Sequence, residues 1–369
     1  MSGALLGMDT GELSLLAREL GQPGFRGKQM ARWVYQHGAT SVEEMTDLPL
    51  AFRQQLAAEA QVGKPERRLT QRAADGTTKA LVAMADGETV ETVYLPYPDR
   101  QSACVSTQVG CPAACAFCAT GTLGLRRNLT AGEIAGQVLV AQDMAAEQAA
   151  ERRVNHVVLM GMGEPLLNYA ASLKAVRLIN EEIGVGMRSI TLSTVGIIPA
   201  IRRLAEERLQ LTLSVSLHAP NQPLRRKLVP IAANYPLDEL LAACVSYAEA
   251  TGRRITYEYV LLEGVNDGRR DAQELGRLLK GQLCHVNLIP FNPGPTLSPF
   301  ATPKPNQAST FRGELEAQGV PATVRQIRGQ EIAAACGQLK EAASGHSPLL
   351  DRARPPASAD LTVLCAPSR

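Results

Sequence analysis

Cys111-Pro112-Ala113-Ala114-Cys115-Ala116-Phe117-Cys118 places three thiols within one short segment. It directly follows an apolar, partly β-branched run at 103–107 that reads as a strand. A loop this short can wrap one metal centre. Three thiolates are one fewer than the closed shell that structural zinc prefers, and no histidine lies close in sequence to complete it. The same three can hold three irons of a 4Fe-4S cluster and leave the fourth open to a small ligand. A zinc site completed by a distant Cys or His, or three unligated cysteines, are the alternatives.

Downstream of this loop, short apolar runs at 156–160, 189–193, 211–217, 255–262 and 286–291 alternate with longer helix-patterned segments, and 322–327 is a candidate seventh run. Thr130 followed by Glu133 marks the start of the first such helix as a capping box. Repeated units of this kind favour a parallel sheet. The expected fold class is α/β, a partial (β/α)6 barrel over 100–344.

Upstream, 63–99 reads as a β-hairpin connector with turns at Ala74-Asp75-Gly76 and Ala85-Asp86-Gly87, and 1–62 as a small helical accessory domain. Leu13, Leu15, Leu16 and Leu20 form one apolar stripe there, and Met30, Trp33, Val34 and Tyr35 another. The tail, 345–369, is rich in Pro, Ala, Ser and Arg and is expected to be flexible.

Thirty-eight Lys and Arg against 36 Asp and Glu leave a net charge of +2, so no global field draws the chain to nucleic acid or an anionic membrane. No apolar run approaches the roughly twenty residues of a membrane helix. Asp9, Glu12 and Glu19 interrupt any signal-peptide core, so a cytoplasmic protein is expected. There, eight cysteines are more readily ligands, reactive thiols or buried apolar groups than a disulfide framework.

Further polar motifs close the successive runs: Gly161-Met162-Gly163-Glu164-Pro165, Ser193-Thr194-Val195-Gly196, Ser216-Leu217-His218 and Phe291-Asn292-Pro293-Gly294. Any one could simply satisfy local backbone. Four on one rim, where β/α folds build active sites, point to a ligand. The Cys-x3-Cys-x2-Cys loop with this rim resembles the radical S-adenosylmethionine (SAM) superfamily. The resemblance implies that the open iron binds the amino and carboxylate groups of SAM, which a cluster electron cleaves to a 5′-deoxyadenosyl radical. It also implies that Glu164 accepts from the SAM ammonium and that Gly163, Ser193, Ser216, Leu217, His218 and Asn292 complete the cofactor site.

Cys104, seven residues before Cys111, and Cys336, in Arg328-Gly-Gln-Glu-Ile-Ala-Ala-Ala-Cys336, refine the match. With the other motifs they resemble the bacterial dual-specificity adenine C2 methyltransferases of 23S rRNA and tRNA, as far as Leu339. That resemblance implies two SAM per turnover, Cys336 as the methyl carrier, and Cys104 as the thiol that releases product by forming a disulfide with it. Glu91 is implied as the base that takes the ring proton. A flavodoxin- or ferredoxin-like electron donor and a monomeric chain are expected. Otherwise Glu91 would be a solvated hairpin residue and Cys104 and Cys336 small buried groups, as Cys244, Cys284 and Cys365 are read.

RNA contact must rest on local clusters: Arg26, Lys28 and Arg32; Arg126 and Arg127; Arg225, Arg226 and Lys227. Trp33 and Tyr35 read as core rather than stacking platforms. Rival functions are methylation of adenine carbon 8, a metal-stapled RNA-binding protein without catalysis, and a radical SAM enzyme with a non-RNA substrate.

Overall fold

Asp9 opens the first helix by accepting the amide of Glu12 at 2.8 Å while the Glu12 carboxylate accepts the amide of Asp9 at 2.8 Å. The reciprocal cap satisfies two donors that a helix start leaves orphaned. This computed structural model describes residues 3–293, 299–326, 328–334 and 338. In it α1 (Thr10–Glu19) crosses α2 (Arg26–Ala31) closely at Gly27, where a Cβ would stand 2.4 Å from the Ser14 amide nitrogen. The stripe on α1 differs from the expected one: Leu13 and Ala17 are buried, whereas Leu15 is 56% exposed. Two residues along a helix is about 200° of rotation, so Leu13 and Leu15 cannot share a face. α3 (Leu50–Glu59) adds Phe52 and Leu56 to a core holding Met30, Val34 and Met45. Tyr35 is buried with its hydroxyl donating to the Met8 carbonyl at 2.7 Å, and half-buried Trp33 donates to Asp47 at 2.6 Å.

Next come β1 (Glu66–Arg72), β2 (Thr78–Ala83) and β3 (Thr89–Pro96), an antiparallel meander. Its turns rest on Gly76 and Gly87, whose φ values of 82° and 86° lie where a Cβ is disfavoured. β3 pairs antiparallel with β4 (Gln101–Cys104), Val93 opposite Cys104. From there every neighbour is parallel: β5 (His156–Leu159), β6 (Ile190–Thr194), β7 (Thr212–Ser216), β8 (Ile255–Leu261), β9 (Cys284–Pro290) and β10 (Ala322–Val324). Among the described residues the sheet holds ten strands, in chain order from edge to edge.

The β/α rhythm expected from residue 100 onward is the one that forms. α4 (Ala131–Gln148) follows β4 and starts at the expected cap: Thr130 accepts the Glu133 amide at 3.2 Å and Glu133 accepts the Thr130 amide at 2.8 Å. α5 (Tyr169–Glu181), α6 (Ile198–Glu206), α7 (Gln222–Leu228), α8 (Leu237–Thr251), α9 (Arg269–Leu279) and α10 (Gln307–Ala317) make the later crossovers. Among the described residues no helix is long and apolar enough to cross a membrane.

Alternation sorts the side chains. Val157, Leu159, Ile190, Leu192, Leu213, Val215, Tyr257 and Tyr259 are buried on the helix-covered face. Cross-strand register aligns the intervening residues on the other, concave face: Lys79, Glu91 with Val93, Cys104, Val158, Thr191 with Ser193, Ser214 with Ser216, Glu258 and Asn287. That face is largely polar. Gly294, Cys336 and the 345–369 tail lie outside the described residues.

Candidate functional site

Beyond β4 the chain stays beside the β5 side of the sheet, Val105 donating to Val158 at 3.0 Å and Thr107 to Met162 at 2.8 Å. It then forms a two-stranded ribbon, Gln108–Gly110 against Leu125–Asn128, whose connecting loop carries Cys111, Cys115 and Cys118. Gly110, at φ 77°, has no room for a side chain, since its Cβ would sit 1.8 Å from the Gly124 carbonyl oxygen. The amide of Cys111 donates to that same carbonyl at 2.9 Å, and Ala116 donates to Leu228 at the end of α7 at 2.9 Å.

Burial pushes the Cys111 thiol up to about 12 and the Cys115 thiol well above its usual value; neighbouring thiols and Glu164 add to both. Amides of Ala113 and Gly163 directed at Cys111 and the nearby Arg225 offset this only in part. Thiolates in such a place need a cationic centre. Among the described residues no three His, Cys, Asp or Glu side chains converge as one metal ion requires. Three thiols gathered in one loop suit a 4Fe-4S cluster with one iron left open, and are one ligand short of the closed shell that structural zinc takes.

One pocket at the carboxyl ends of the strands is lined by Cys111, Cys115 and Cys118 together with Gly163, Glu164, Ser193, Ser216, His218 and Asn292. Leu217 does not line it; fully buried, it donates its amide to the Glu258 carbonyl at 3.0 Å. Glu164 is 2% exposed and accepts the amides of Leu166 at 3.0 Å and Val195 at 2.7 Å. Burial raises its carboxyl to about 7 although these bonds and the Thr194 hydroxyl oppose the shift. His218 is held neutral, burial and then Arg225 lowering it to about 3. Its Nδ1 accepts the Val260 amide at 3.1 Å, which leaves the proton on Nε2, and Phe117 of the cysteine loop meets the ring edge-on at 4.8 Å.

The glycines before Glu164 have a structural explanation. A Cβ on Gly161 would stand 2.6 Å from the Ser106 hydroxyl, and one on Gly163, at φ 104°, 2.7 Å from Gln108. They let this loop lie directly on residues 105–108, where Gln108 accepts the Glu164 amide at 2.8 Å.

Glu91 is 3% exposed, which rules out a solvated hairpin residue. Its carboxylate meets Lys79 Nζ at 2.9 Å. Ser106 Oγ donates to the Glu91 carbonyl at 2.8 Å and accepts the Met162 amide at 2.9 Å, joining β3 to the loop of Glu164. Gln137 of α4 accepts from the Ser106 amide and donates to its carbonyl. Cys104 is buried, directly across from Val93 on the same concave face as Glu91. No disulfide is present among the described cysteines.

Lys79, Gln108, Glu258 and Arg225 were not expected here. Glu258 lines the pocket floor and accepts from Ser214 and Asn287, each at 2.8 Å. Its signal was the period-two polar pattern of Ser214, Ser216, Thr256 and Glu258 within otherwise apolar strands. Arg225, expected at an RNA surface, is instead fully buried and donates to Val195 at 2.5 Å; Arg226 and Lys227 beside it remain exposed. Arg127 is held by Asp86 and Glu133, and Arg126 by Glu88. Lys28 and Arg32 are exposed on the helical unit. Cys244 and Cys284 are buried, as read from sequence.

Residues 105–275 match the family model described as the radical SAM superfamily, and residues 4–62 that of the ribosomal RNA large subunit methyltransferase N-terminal domain. A probable dual-specificity RNA methyltransferase RlmN of Thermosynechococcus vestitus is 51% identical over 92% of this chain and 98% of its own. One of Gloeobacter violaceus is 50% identical over 92% and 96%. The crystal structure of a radical SAM methyltransferase from Sphaerobacter thermophilus superposes with a TM-score of 0.88 at 48% identity, covering 92% of this chain and 99% of that one.

Proposed function

Because the chain belongs to the dual-specificity RNA methyltransferase RlmN family of radical SAM enzymes, we propose that it methylates carbon 2 of adenine in 23S rRNA and tRNA through a methylated Cys336. Carbon 2 is electron-poor and its hydrogen has no useful acidity, so a direct polar attack on the SAM methyl group is closed. Cys111, Cys115 and Cys118 would hold a 4Fe-4S cluster, which supplies the electron for SAM cleavage and so the radical chemistry. Glu164 accepts from the SAM ammonium, and Gly163, Ser193, Ser216, His218 and Asn292 line the rest of the cofactor site, with Leu217 buried behind it.

Two SAM molecules serve each turnover. Cys336 takes the methyl group of one as a thioether; the radical derived from the second SAM removes a hydrogen atom from it, the resulting carbon radical adds to carbon 2, and the odd electron left on the ring passes to a one-electron acceptor, a role the oxidised cluster would fill. Glu91 takes the proton from carbon 2. The Cys104 thiolate then attacks the Cys336 sulfur; the carbon–sulfur pair leaves with the carbon, which takes up a proton, and the disulfide releases the methylated base. The target adenine leaves its stack to enter the pocket, with exposed residues such as Lys28, Arg32, Arg226 and Lys227 on phosphate. A flavodoxin- or ferredoxin-like protein donates electrons, and the enzyme works as a cytoplasmic monomer.

What supports this most is the anchoring of the chain on both sides of residues 335–337. Lys79 donates to the Ala333 carbonyl at 3.4 Å, and the Gln338 side-chain Nε2 donates to the Pro293 carbonyl at 3.1 Å. These anchors lie by the concave face of Glu91 and Cys104 and by the rim. Digestion of the purified protein and mass spectrometry are expected to find a methyl group on Cys336; its absence overturns the proposal. Chromatography of nucleosides against both methyladenosine isomers is expected to show carbon 2, and an 8-methyl product would select the rival activity.

A further inference from the structure

Lys79 lies outside every motif used above, yet its side chain joins two parts of the proposed reaction. Its strand position, opposite Val93, places it on the concave face with Glu91 and Cys104. Side-chain exposure is 11% for Lys79 and 4% for Glu91, and they are 2.9 Å apart. The same ammonium donates to the carbonyl of Ala333, a non-glycine residue at φ 50°. A left-handed alanine costs backbone energy and persists where its surroundings hold it. Around it, Glu331 accepts the Ala74 amide at 2.5 Å, Gly329 donates to Asp75 at 3.3 Å, and Arg328 donates to the Pro96 carbonyl at 2.8 Å. The segment leading to Cys336 is thus strapped to the meander, and Lys79 is the strap that also touches Glu91.

We propose that Lys79 is a positioning residue that keeps the Glu91 carboxylate ionised and tied to the chain three residues before Cys336. This rests on the reaction proposed above. A carboxylate can take the ring proton only while ionised, and a buried one without a cation favours the neutral acid. Among the described residues, the titratable groups on the elements around Glu91 include Lys79 on β2, Cys104 on β4, and Arg328 and Glu331 on the C-terminal segment. Arg328 and Glu331 are engaged with Pro96, Asp75 and the Ala74 amide, and α4 presents the neutral Gln137. In the step itself, once the adduct has given up its odd electron to a one-electron acceptor, the carbon–hydrogen bond at carbon 2 breaks, its electron pair restores the aromatic ring, and the proton moves to Glu91.

The test uses the full-length, cluster-loaded protein with Lys79→Met, Lys79→Arg, Glu91→Gln and the Lys79→Met/Glu91→Gln pair. Methylation of Cys336 precedes proton removal, so Lys79→Met is expected to retain both the methyl group and the cluster absorbance. Its RNA turnover should fall about tenfold near neutral pH, and the acid limb of the rate profile should move up by about one to three pH units. Lys79→Arg should restore the profile, and the paired variant should be no slower than Glu91→Gln alone. A Lys79→Met acid limb at its wild-type position overturns the proposal, as does full additivity in the pair. An unmethylated Cys336 in the wild-type protein overturns the underlying reaction as well, which separates the two failures.

Discussion

Glu164 and Glu91 are both buried, and their surroundings are opposites. Glu164, at the rim, accepts from backbone amides and a hydroxyl. Glu91, on the concave face, sits against an ammonium at 2.9 Å. Burial without a cation leaves Glu164 at about 7, a group that gains by meeting a positive ligand. Glu91 already has its cation. In the proposed reaction the first receives the ammonium of SAM and the second acts as the base; a single hydroxyl, Ser106, joins their two segments.

Removing the methyl carrier separates the halves most completely. Cys336→Ala is expected to abolish RNA methylation in a single-turnover assay while iron content and SAM binding stay at wild-type levels. Residual methylation would break the proposed division of labour. Glu164→Gln, acting on the other half, is expected to weaken SAM binding by roughly tens to a hundredfold, about 2–3 kcal/mol for a charge-assisted bond in a buried site. Titration calorimetry measures it.

The same carboxyl predicts a pH dependence with a definite sign. Below about 7 Glu164 holds a proton that must leave before it can accept from an ammonium. SAM affinity of the wild-type protein should therefore fall as pH drops below about 7, approaching tenfold per unit, and stay level above it. The profile of Glu164→Gln should be flat; a sloping one would assign the titration elsewhere. The smallest effect concerns the joint: Ser106→Ala orphans the Met162 amide and the Glu91 carbonyl. It should lower stability by about 1–3 kcal/mol, read from denaturant midpoints, with little change in SAM affinity.

Legibility in the sequence followed distance along the chain. The cysteine loop, the Thr130–Glu133 cap, the turns at Gly76 and Gly87, and the β/α rhythm depend on residues a few positions apart, and each formed where expected. Leu15 was misjudged because counting leucines is not the same as counting rotation about a helix axis. Arg225 was misjudged because a basic run looks like surface until its packing is known; its guanidinium is turned inward to Val195 and Tyr235.

From the sequence alone came the thiol spacing, the polar strand ends and the order of the repeats, all carried by neighbours in the chain. The folded molecule alone decided that Lys79 meets Glu91, that Glu164 is left without a cation, and that the glycines before it face residues 105–108. A side chain's charge environment is set by the strands beside it, and hydrogen-bonded register, not sequence distance, chooses those strands.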